Sequence, residues 1–520
     1  MAQKRRRFLQ QGAMAIAGTF AAPPVLFGVE PRDLVVETGN GKVRGVTHEG
    51  VRLFRGIPYG GDTSGRNRFK PPVKPIAWAG VRDCTDWGHI APQRVSTGEV
   101  SDYTRMVGWN NYRGGLSEDC LDLNIWAPVK SRGRRAVMVA FHGGGFTSGS
   151  GNLAALDGTR LAAHGDVVVV TVNHRLGALG YADLSAFGGP EFASSGVAGM
   201  MDCVAALQWV RDNIEKFGGD PGQVTIFGQS GGGGKCSTLM CMPSAHGLFH
   251  RAALQSGSTI RLTHREAAQK NAEVLLAKLG VGRGELGKLQ SLPFEQIVAA
   301  QAAAGPVVDG MVVPRDPFDP DAPALSADVP MIIGTCLEDQ GLNMTDWDID
   351  EDGLKAWTDT QVPGKSAPIL AEYRRLYPRK RPFLIKAMTA TDKAWRRNAV
   401  LQAERKTAQG RAPAYMYRWD WPTPAYGGKF GAIHGADLSM SFANADTDVG
   451  MNTPQARLMA DRLGSAYLAF AKTGNPDHRN IPHWPAYNSS DRPAMIFDAS
   501  TRVENDPNRV LRLMWDQFAA

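Results

Sequence analysis

The chain has 520 residues, of which 43% are hydrophobic and 21% charged, a composition that is ordinary for a large globular protein and excludes a disordered or fibrous one. The formal net charge is +7, but Lys4 and Arg5–Arg7 supply four positive charges before any acid occurs, so the remaining chain carries 7 − 4 = +3 and gives no case for a nucleic-acid partner. Six cysteines are too few for a disulfide scaffold in a chain of this length. They form no CxxC pair and no Cys/His cluster with zinc spacing, which argues against a metal site.

Residues 1–29 have the pattern of an export signal. A basic head, Arg5–Arg7, precedes the weakly apolar stretch Gly12–Phe20, which is too short to span a bilayer, and the small residues Ala21 and Ala22. The arginine pair before Phe-Leu resembles a twin-arginine signal, whose cargo crosses the membrane already folded; a general secretory signal or an uncleaved anchor would share much of the pattern. We expect an exported protein, periplasmic or secreted, without stable membrane insertion once the signal is removed.

The rest of the chain alternates short β-branched runs with longer helical patterns. Leu34–Gly45 predicts an antiparallel hairpin, and Met200–Phe217 places apolar residues at three- and four-residue steps, as on one buried helix face. Residues 259–325 are rich in Ala and Leu and predict a mostly helical insertion over one end of the sheet. Buried strands are predicted over Ala136–Phe141, Val167–Val172, Val224–Phe227, Met331–Gly334, Tyr415–Trp419 and Ala494–Phe497.

This alternation predicts an α/β protein with a large mixed, mostly parallel sheet covered by helices on both faces. No Gly/Ser- or Pro-rich linker divides residues 30–520, so we expect them to form a single domain. Ligands of such sheets bind beyond the carboxyl ends of the strands, and the chemistry should therefore lie just after each strand.

The segment Gly228–Gly232, with sequence GQSGG, has the spacing of a nucleophile elbow. A strand passes through Ser230 into a helical pattern, and the residues two before and two after the serine need to lack side chains because strand and helix nearly touch. The Gly231 N–H would then face the same space as the serine hydroxyl. Gly233 and Gly234 exceed what the elbow needs and indicate either close packing or a roomier pocket floor.

Three other segments supply the groups that a nucleophilic serine needs. His142–Gly145 follows a predicted strand, and its bare peptides can present N–H groups to an oxyanion. His434 lies among small residues after another strand and can take the serine proton. Between Ser230 and this histidine, the strand at Met331–Gly334 leads to two adjacent acids, Glu338 and Asp339. The chain order serine, acid, histidine predicts the α/β-hydrolase fold.

With these motifs in this order, the chain resembles the type-B carboxylesterases, the family that includes the cholinesterases. The resemblance covers nearly all of the chain after residue 34. The matching segments are FRGIPY at 54–59, RFKPP at 68–72, EDCLDLN at 118–124, NHRLG at 173–177, FGGDP at 217–221, QSGS at 255–258, GPVVDG at 305–310 and GNP at 474–476.

The resemblance implies hydrolysis of a small-molecule ester through an acyl-enzyme, with no cofactor. The implied site residues are Ser230 as nucleophile, Asp339 as acid, His434 as general base, and the backbone N–H groups of Gly144, Gly145 and Gly231 as oxyanion donors. The family pattern places its acid five residues after the strand-end glycine, which is Asp339 here. Glu338 is the alternative acid.

The chain departs from the family pattern in several places. Gly231 stands where the family usually has alanine, which keeps the N–H donor but loosens the turn, and His174 replaces a tyrosine. The family's first disulfide lacks one partner here, so Cys120 is either free or paired with Cys84. The loop Arg94–Leu116 forms a pocket rim in relatives, and its aromatic residues Tyr103, Trp109 and Tyr112 either contact substrate or pack locally.

Two other functions fit parts of this pattern. A serine hydrolase of amides, carbamates or lactones would use the same triad, because specificity lies in the pocket walls. A cholinesterase-like adhesion protein would keep the fold without the chemistry, but such relatives usually lack the serine or the histidine, and both are present here. The sequence therefore predicts a carboxylic ester hydrolase.

Overall fold

The computed structural model describes residues 34–518, apart from residues 96–98, 110–111, 130–132 and 303. The export signal predicted over residues 1–29 lies outside the described residues. The strands are β1 (Val35–Thr38), β2 (Gly41–Arg44), β3 (Val46–His48), β4 (Val51–Pro58), β5 (Val81–Asp83), β6 (Asp122–Pro128), β7 (Arg135–Phe141), β8 (Val168–Val172), β9 (Gly219–Gln229), β10 (Arg251–Gln255), β11 (Thr263–His264), β12 (Val307–Val308), β13 (Met331–Cys336), β14 (Ala414–Trp419), β15 (Pro493–Phe497) and β16 (Arg502–Asn505).

The helices cover and connect these strands. They are α1 (Asp102–Met106), α2 (Thr159–Gly165), α3 (Gly177–Tyr181), α4 (Ala198–Asn213), α5 (Gly231–Leu239), α6 (Arg265–Lys278), α7 (Leu286–Ser291), α8 (Phe294–Ala300), α9 (Glu351–Gln361), α10 (Ser366–Leu376), α11 (Pro382–Thr391), α12 (Arg397–Ala408), α13 (Leu438–Ser441), α14 (Pro454–Thr473) and α15 (Arg509–Phe518). A π-helical turn, Asp392–Arg396, joins α11 to α12. Among the described residues, no helix combines the length and the apolar character needed to cross a membrane.

Eleven strands of the described chain form one mixed sheet in the order β16-β15-β14-β13-β10-β9-β7-β8-β6-β4-β3. The strands from β15 to β8 in this order run parallel, and antiparallel strands lie at both edges. Alternate residues of β7 enter two different core clusters, Val137 and Val139 one and Met138 and Ala140 the other. Because strand side chains alternate between faces, both faces of the sheet are covered. The predicted mixed, mostly parallel sheet is confirmed.

One predicted element is confirmed and another differs from the structure. The hairpin over Leu34–Gly45 forms, as β1 and β2, but it belongs to a separate three-stranded sheet with β5, and other strands make the central sheet mixed. The insertion over residues 259–325 is mainly helical only as far as Ala300, where α8 ends. Five prolines fall within residues 306–323, and proline offers no N–H to a helix. The prediction of a mostly helical insertion is therefore wrong for its second half.

Strand β9 and helix α5 meet at a very close backbone crossing. A Cβ atom on Gly228 would lie 2.5 Å from the Phe141 carbonyl oxygen, and one on Gly232 would lie 2.1 Å from the same oxygen. A Cβ on Gly233 would lie 2.9 Å from Gly257 Cα, so the additional glycine serves close packing. Only residues without side chains let the strand, the helix and the end of β7 approach this closely.

We expect Gly232→Ala to lower the free energy of unfolding by about 1–3 kcal/mol or more, because a methyl group there overlaps backbone atoms that cannot move independently. Gly287→Ala is the matched control: it lies in α7 with nothing within 4 Å of the added Cβ. This control should be neutral or stabilise by up to about 1 kcal/mol. Urea unfolding measures both changes, and a Gly232→Ala midpoint equal to the wild-type value would contradict the packing account.

Candidate active site

Adjacent parallel strands deliver the predicted site residues to one edge of the sheet. In the parallel part of the sheet, β14 lies beside β13 and β9 lies beside β7, with β10 between the two pairs. The carboxyl ends of all these strands share one edge. The segments that follow these strands carry, in turn, the loop His142–Phe146, the elbow at Ser230, the acids Glu338 and Asp339, and His434.

Ser230 occupies a strained turn between β9 and α5. Its backbone angles are φ 60° and ψ −125°, on the positive-φ side that side chains rarely adopt, and such a conformation costs about 1–3 kcal/mol. Its N–H donates to the Gln255 carbonyl at 2.7 Å, which helps to hold the turn. Ser230 is partly exposed while its neighbour Gln229 is buried. The turn has the geometry predicted for a nucleophile elbow.

Three peptide N–H groups lie close together beside this turn. Gly144 (φ +84°) and Gly145 (φ +61°) form the loop after β7, and neither N–H has an acceptor among the described residues. Gly231 is the first residue of α5, so its N–H has no acceptor within the helix. A Cβ on Gly231 would lie 2.1 Å from the Gly145 carbonyl oxygen. Glycine at 231, where the family usually has alanine, therefore lets the loop approach the helix, beyond any loosening of the turn.

Asp339 is the carboxylate that contacts His434. The distance from His434 Nδ1 to Asp339 Oδ1 is 2.8 Å, and both side chains are fully buried. The other oxygen, Oδ2, accepts from the Ser256 hydroxyl at 2.9 Å and from the Cys336 N–H at 2.8 Å. A carboxylate held by three donors keeps Nδ1 protonated and leaves Nε2 of the imidazole as the acceptor.

Glu338 points to a different partner. Its carboxylate pairs with Lys380 and accepts from the Ala432 N–H at 2.8 Å, while its own N–H donates to the Ala432 carbonyl at 3.1 Å. Burial raises the pKa of Glu338, with Lys380 acting in the opposite direction. No hydrogen bond or ion pair joins it to His434 in the described part of the chain. Glu338 ties the acid loop to the segment that precedes His434.

The Nε2 atom of His434 faces the elbow but contacts Gln229 there. The distance from His434 Nε2 to Gln229 Nε2 is 3.1 Å, and among the hydrogen bonds of the described residues none joins Ser230 Oγ to the imidazole. Gln229 Oε1 is buried without a partner. The Gln229 amide therefore occupies the place at Nε2 that the serine hydroxyl needs for proton transfer. Catalytic hydrogen bonds of ligand-free enzymes often tighten only when substrate binds.

Aromatic residues enclose His434. The Trp395 ring lies 4.5 Å and the Trp109 ring 5.7 Å from the imidazole, measured between centroids, and Tyr103 donates its hydroxyl to the His434 carbonyl at 3.0 Å. Trp395 belongs to the π-helical turn, a local widening that is frequent at functional sites. Tyr103 and Trp109 thus pack around the histidine. Tyr112 packs against the hydrophobic core cluster that contains Tyr103.

Several residues at this site were not singled out from the sequence. Ser256 lies in one of the segments that match the family, and Gln229 lies in the elbow. The sequence therefore marked their positions, but it did not predict which residues they contact. Trp395 had no sequence signal at all.

None of the six cysteines forms a disulfide, so Cys84 and Cys120 are both free thiols.

Comparisons with known proteins agree with this geometry. Residues 32–512 match the model of the carboxylesterase family. The chain is 36% identical to the para-nitrobenzyl esterase of Bacillus subtilis, over 91% of this chain and 96% of the relative, and 32% identical to the fumonisin B1 esterase of Sphingopyxis macrogoltabida, over 92% and 90%. A carboxylesterase structure from Geobacillus stearothermophilus superposes with a TM-score of 0.80 at 35% identity, covering 93% of this chain and all of that one. The chain therefore belongs to the carboxylesterase family and is a carboxylic ester hydrolase.

Proposed function

We propose that the chain hydrolyses carboxylic esters through an acyl-enzyme formed on Ser230 Oγ. The observation that carries the proposal is the meeting, at one sheet edge, of a strained serine, three unpartnered peptide N–H groups and an imidazole bound by a carboxylate. These are the nucleophile, the oxyanion donors and the general base that acyl transfer requires.

In acylation, Ser230 Oγ attacks the ester carbonyl carbon while His434 Nε2 takes the hydroxyl proton. The Gln229 amide lies at Nε2 in the absence of substrate, so the serine hydroxyl has to replace it there as the ester enters. Negative charge on the carbonyl oxygen is stabilised by the N–H groups of Gly144, Gly145 and Gly231. His434 then passes the proton to the leaving alcohol, and Asp339 stabilises the imidazolium formed meanwhile.

In deacylation, the same groups act on water. His434 Nε2 takes a proton from a water molecule, whose oxygen attacks the acyl carbon within the same set of N–H donors. The tetrahedral intermediate collapses, the proton returns to Ser230 Oγ and the carboxylic acid leaves. Apart from the ester and water, each step uses only groups of this chain. A fluorophosphonate, which reacts with the activated serine, reports on the attack by Ser230 Oγ.

We expect Ser230→Ala to abolish fluorophosphonate labelling and to lower kcat for p-nitrophenyl acetate by at least about 10⁴-fold, because no other group can form the acyl-enzyme. The control is Ser500→Ala, an exposed serine after β15, which should label and turn over like the wild type.

An amide of the same acid, a carbamate of the same alcohol and a lactone, tested beside the ester, separate the alternative substrate classes. A Ser230→Ala enzyme that retains wild-type turnover would contradict the assignment of the nucleophile, and a higher kcat/KM for one of the other acyl bonds would replace the ester as substrate class.

The two neighbouring acids should respond differently to loss of charge. Asp339→Asn should lower kcat by about 10³–10⁴-fold, because the amide no longer fixes the tautomer or stabilises the imidazolium. Glu338→Gln should lower the free energy of unfolding by about 1–3 kcal/mol, since Lys380 loses its partner, with kcat changed by less than about tenfold. Steady-state kinetics and urea unfolding give both numbers. The reverse ranking of the two kcat values would assign the acid to Glu338.

We also propose that residues 1–29 direct export by the twin-arginine route. The supporting pattern is the arginine pair before Phe-Leu, followed by a short apolar stretch and small residues. Replacing Arg6 and Arg7 together by lysine keeps the positive charge, yet should block export, because that route requires the arginine pair itself. Esterase activity in the periplasmic fraction measures the effect. Undiminished export of the lysine variant would favour a general secretory signal.

A further inference from the structure

Lys235 is a buried cation directly behind the oxyanion donors. It lies on α5, five residues after Ser230, and its side chain is fully buried. No carboxylate forms an ion pair with it in the part of the chain that the structure describes. A lone ammonium in an apolar environment is strongly disfavoured unless its donors are satisfied, so its presence needs a reason.

The ammonium clamps both ends of the glycine run. Its Nζ donates to the His142 carbonyl at 3.1 Å and to the Gly145 carbonyl at 2.8 Å, and it lies 5.0 Å from the centroid of the Phe146 ring. The residues between these two carbonyls, Gly143–Gly145, are all glycine and have the least restricted backbone of any residue type. Two hydrogen bonds from one buried cation therefore restrict the peptides that carry the N–H groups of Gly144 and Gly145.

The Gly145 carbonyl is held from two sides. It accepts from Lys235 Nζ, and it lies against Gly231, where an added Cβ would come within 2.1 Å of its oxygen. The first turn of α5 supplies the third N–H donor, so this carbonyl helps to set the distance between the loop and the helix. The same helix thus carries the nucleophile at its start, one oxyanion donor and the clamp on the other two.

The charge of Lys235 is not cancelled by the titratable groups that face it. These groups are the stacked imidazoles of His142 and His174, whose centroids lie 4.7 Å apart, and the thiols of Cys203 on α4 and Cys236 on α5. Burial, with the charge of Lys235, lowers the pKa of His142 to about 3 and that of His174 well below its usual value. Burial raises the pKa of both thiols. All four groups are therefore neutral at pH 7, and the local charge is that of the lysine.

We propose that Lys235 is a positioning residue of the oxyanion hole: its ammonium fixes the Gly143–Gly145 peptides, and its uncancelled positive charge stabilises the negative charge that develops on the ester oxygen. The inference rests on the proposed roles of Ser230 and the glycine N–H groups. Its effect belongs to the transition state, because the ground-state ester carries no negative charge there.

Lys235→Met tests the proposal, because methionine keeps the length and apolar stem of the side chain but removes the charge and both hydrogen bonds. We expect kcat for p-nitrophenyl acetate to fall by at least about tenfold, with KM changed by less than about threefold. Affinity for a trifluoromethyl ketone, whose adduct on the serine carries an oxyanion, should fall by the same factor as kcat/KM. Lys235→Gln keeps an N–H donor without the charge and should recover only part of the loss.

The structure offers a matched control in Lys406, on α12. This lysine is also buried, and its Nζ also donates to two backbone carbonyls, those of Ser326 at 2.8 Å and Ala327 at 2.7 Å. Burial lowers the pKa of Lys406 to about 8, as it does for Lys235. Lys406→Met therefore removes the same kind of buried cation away from the site. It should leave kcat, KM and inhibitor affinity at wild-type values.

The pH profile provides a readout that a purely structural role would not change. Burial lowers the pKa of Lys235 to about 8, and the charged form is the one proposed to assist catalysis. On the alkaline side of the profile, wild-type kcat/KM should therefore decline as the pH rises through about 8. Lys235→Met should lack this decline, whereas Lys406→Met should retain it.

The outcomes separate this inference from the proposed function. Fluorophosphonate labelling of both wild type and Lys235→Met, with the kinetic losses above, supports it. A labelled Lys235→Met enzyme with wild-type kcat and ketone affinity overturns it, and so does an equal loss in Lys406→Met. Wild-type rates in Lys235→Gln overturn the proposal that the positive charge stabilises the oxyanion. If Lys235→Met fails to fold, the kinetics of Lys235→Gln test the proposal in its place. A wild type that does not label overturns the proposed function and this inference with it.

Discussion

Direct backbone contact between the loop after β7 and the start of α5 is the constraint on which the active site depends. The carbonyl oxygens of Phe141 and Gly145 both lie within 2.1 Å of the places where Cβ atoms on Gly232 and Gly231 would stand. With no side chain between them, the two segments fix the serine turn and the three peptide N–H groups relative to each other. Preorganised donors of this kind are the main source of transition-state stabilisation in acyl transfer.

The buried charged side chains near this contact have different partners and different roles. The consecutive residues Asp339 and Glu338 have different partners. Asp339 contacts His434, whereas Glu338 contacts Lys380 and the segment that precedes His434. Both carboxylates are desolvated, and both have their oxygens satisfied by donors. Lys235 differs, because its ammonium is hydrogen-bonded to two carbonyls but its charge is not cancelled. An uncancelled charge at the site is destabilising for the fold and useful where an anion develops, a conflict typical of functional sites.

The sequence predicted what depends on short-range signals. Glycines two before and two after Ser230, and β-branched runs ahead of each functional segment, are local patterns, and the sheet and the elbow followed from them. The spacing of the family pattern favoured Asp339 over Glu338 as the acid. The contacts of Gln229 and Trp395, in contrast, depend on packing between distant segments. No local pattern carries that information. The irregular path after Ala300 was different, since its prolines were visible in the sequence but were outweighed by the surrounding alanines.

A crystal structure of the enzyme after reaction with a fluorophosphonate tests the central claim most directly. The account predicts a bond from phosphorus to Ser230 Oγ, with the phosphoryl oxygen about 2.7–3.1 Å from the peptide nitrogens of Gly144, Gly145 and Gly231. It also predicts that the Gln229 amide has left His434 Nε2. Phosphorus on another residue, or a phosphoryl oxygen directed away from the glycine amides, would contradict it.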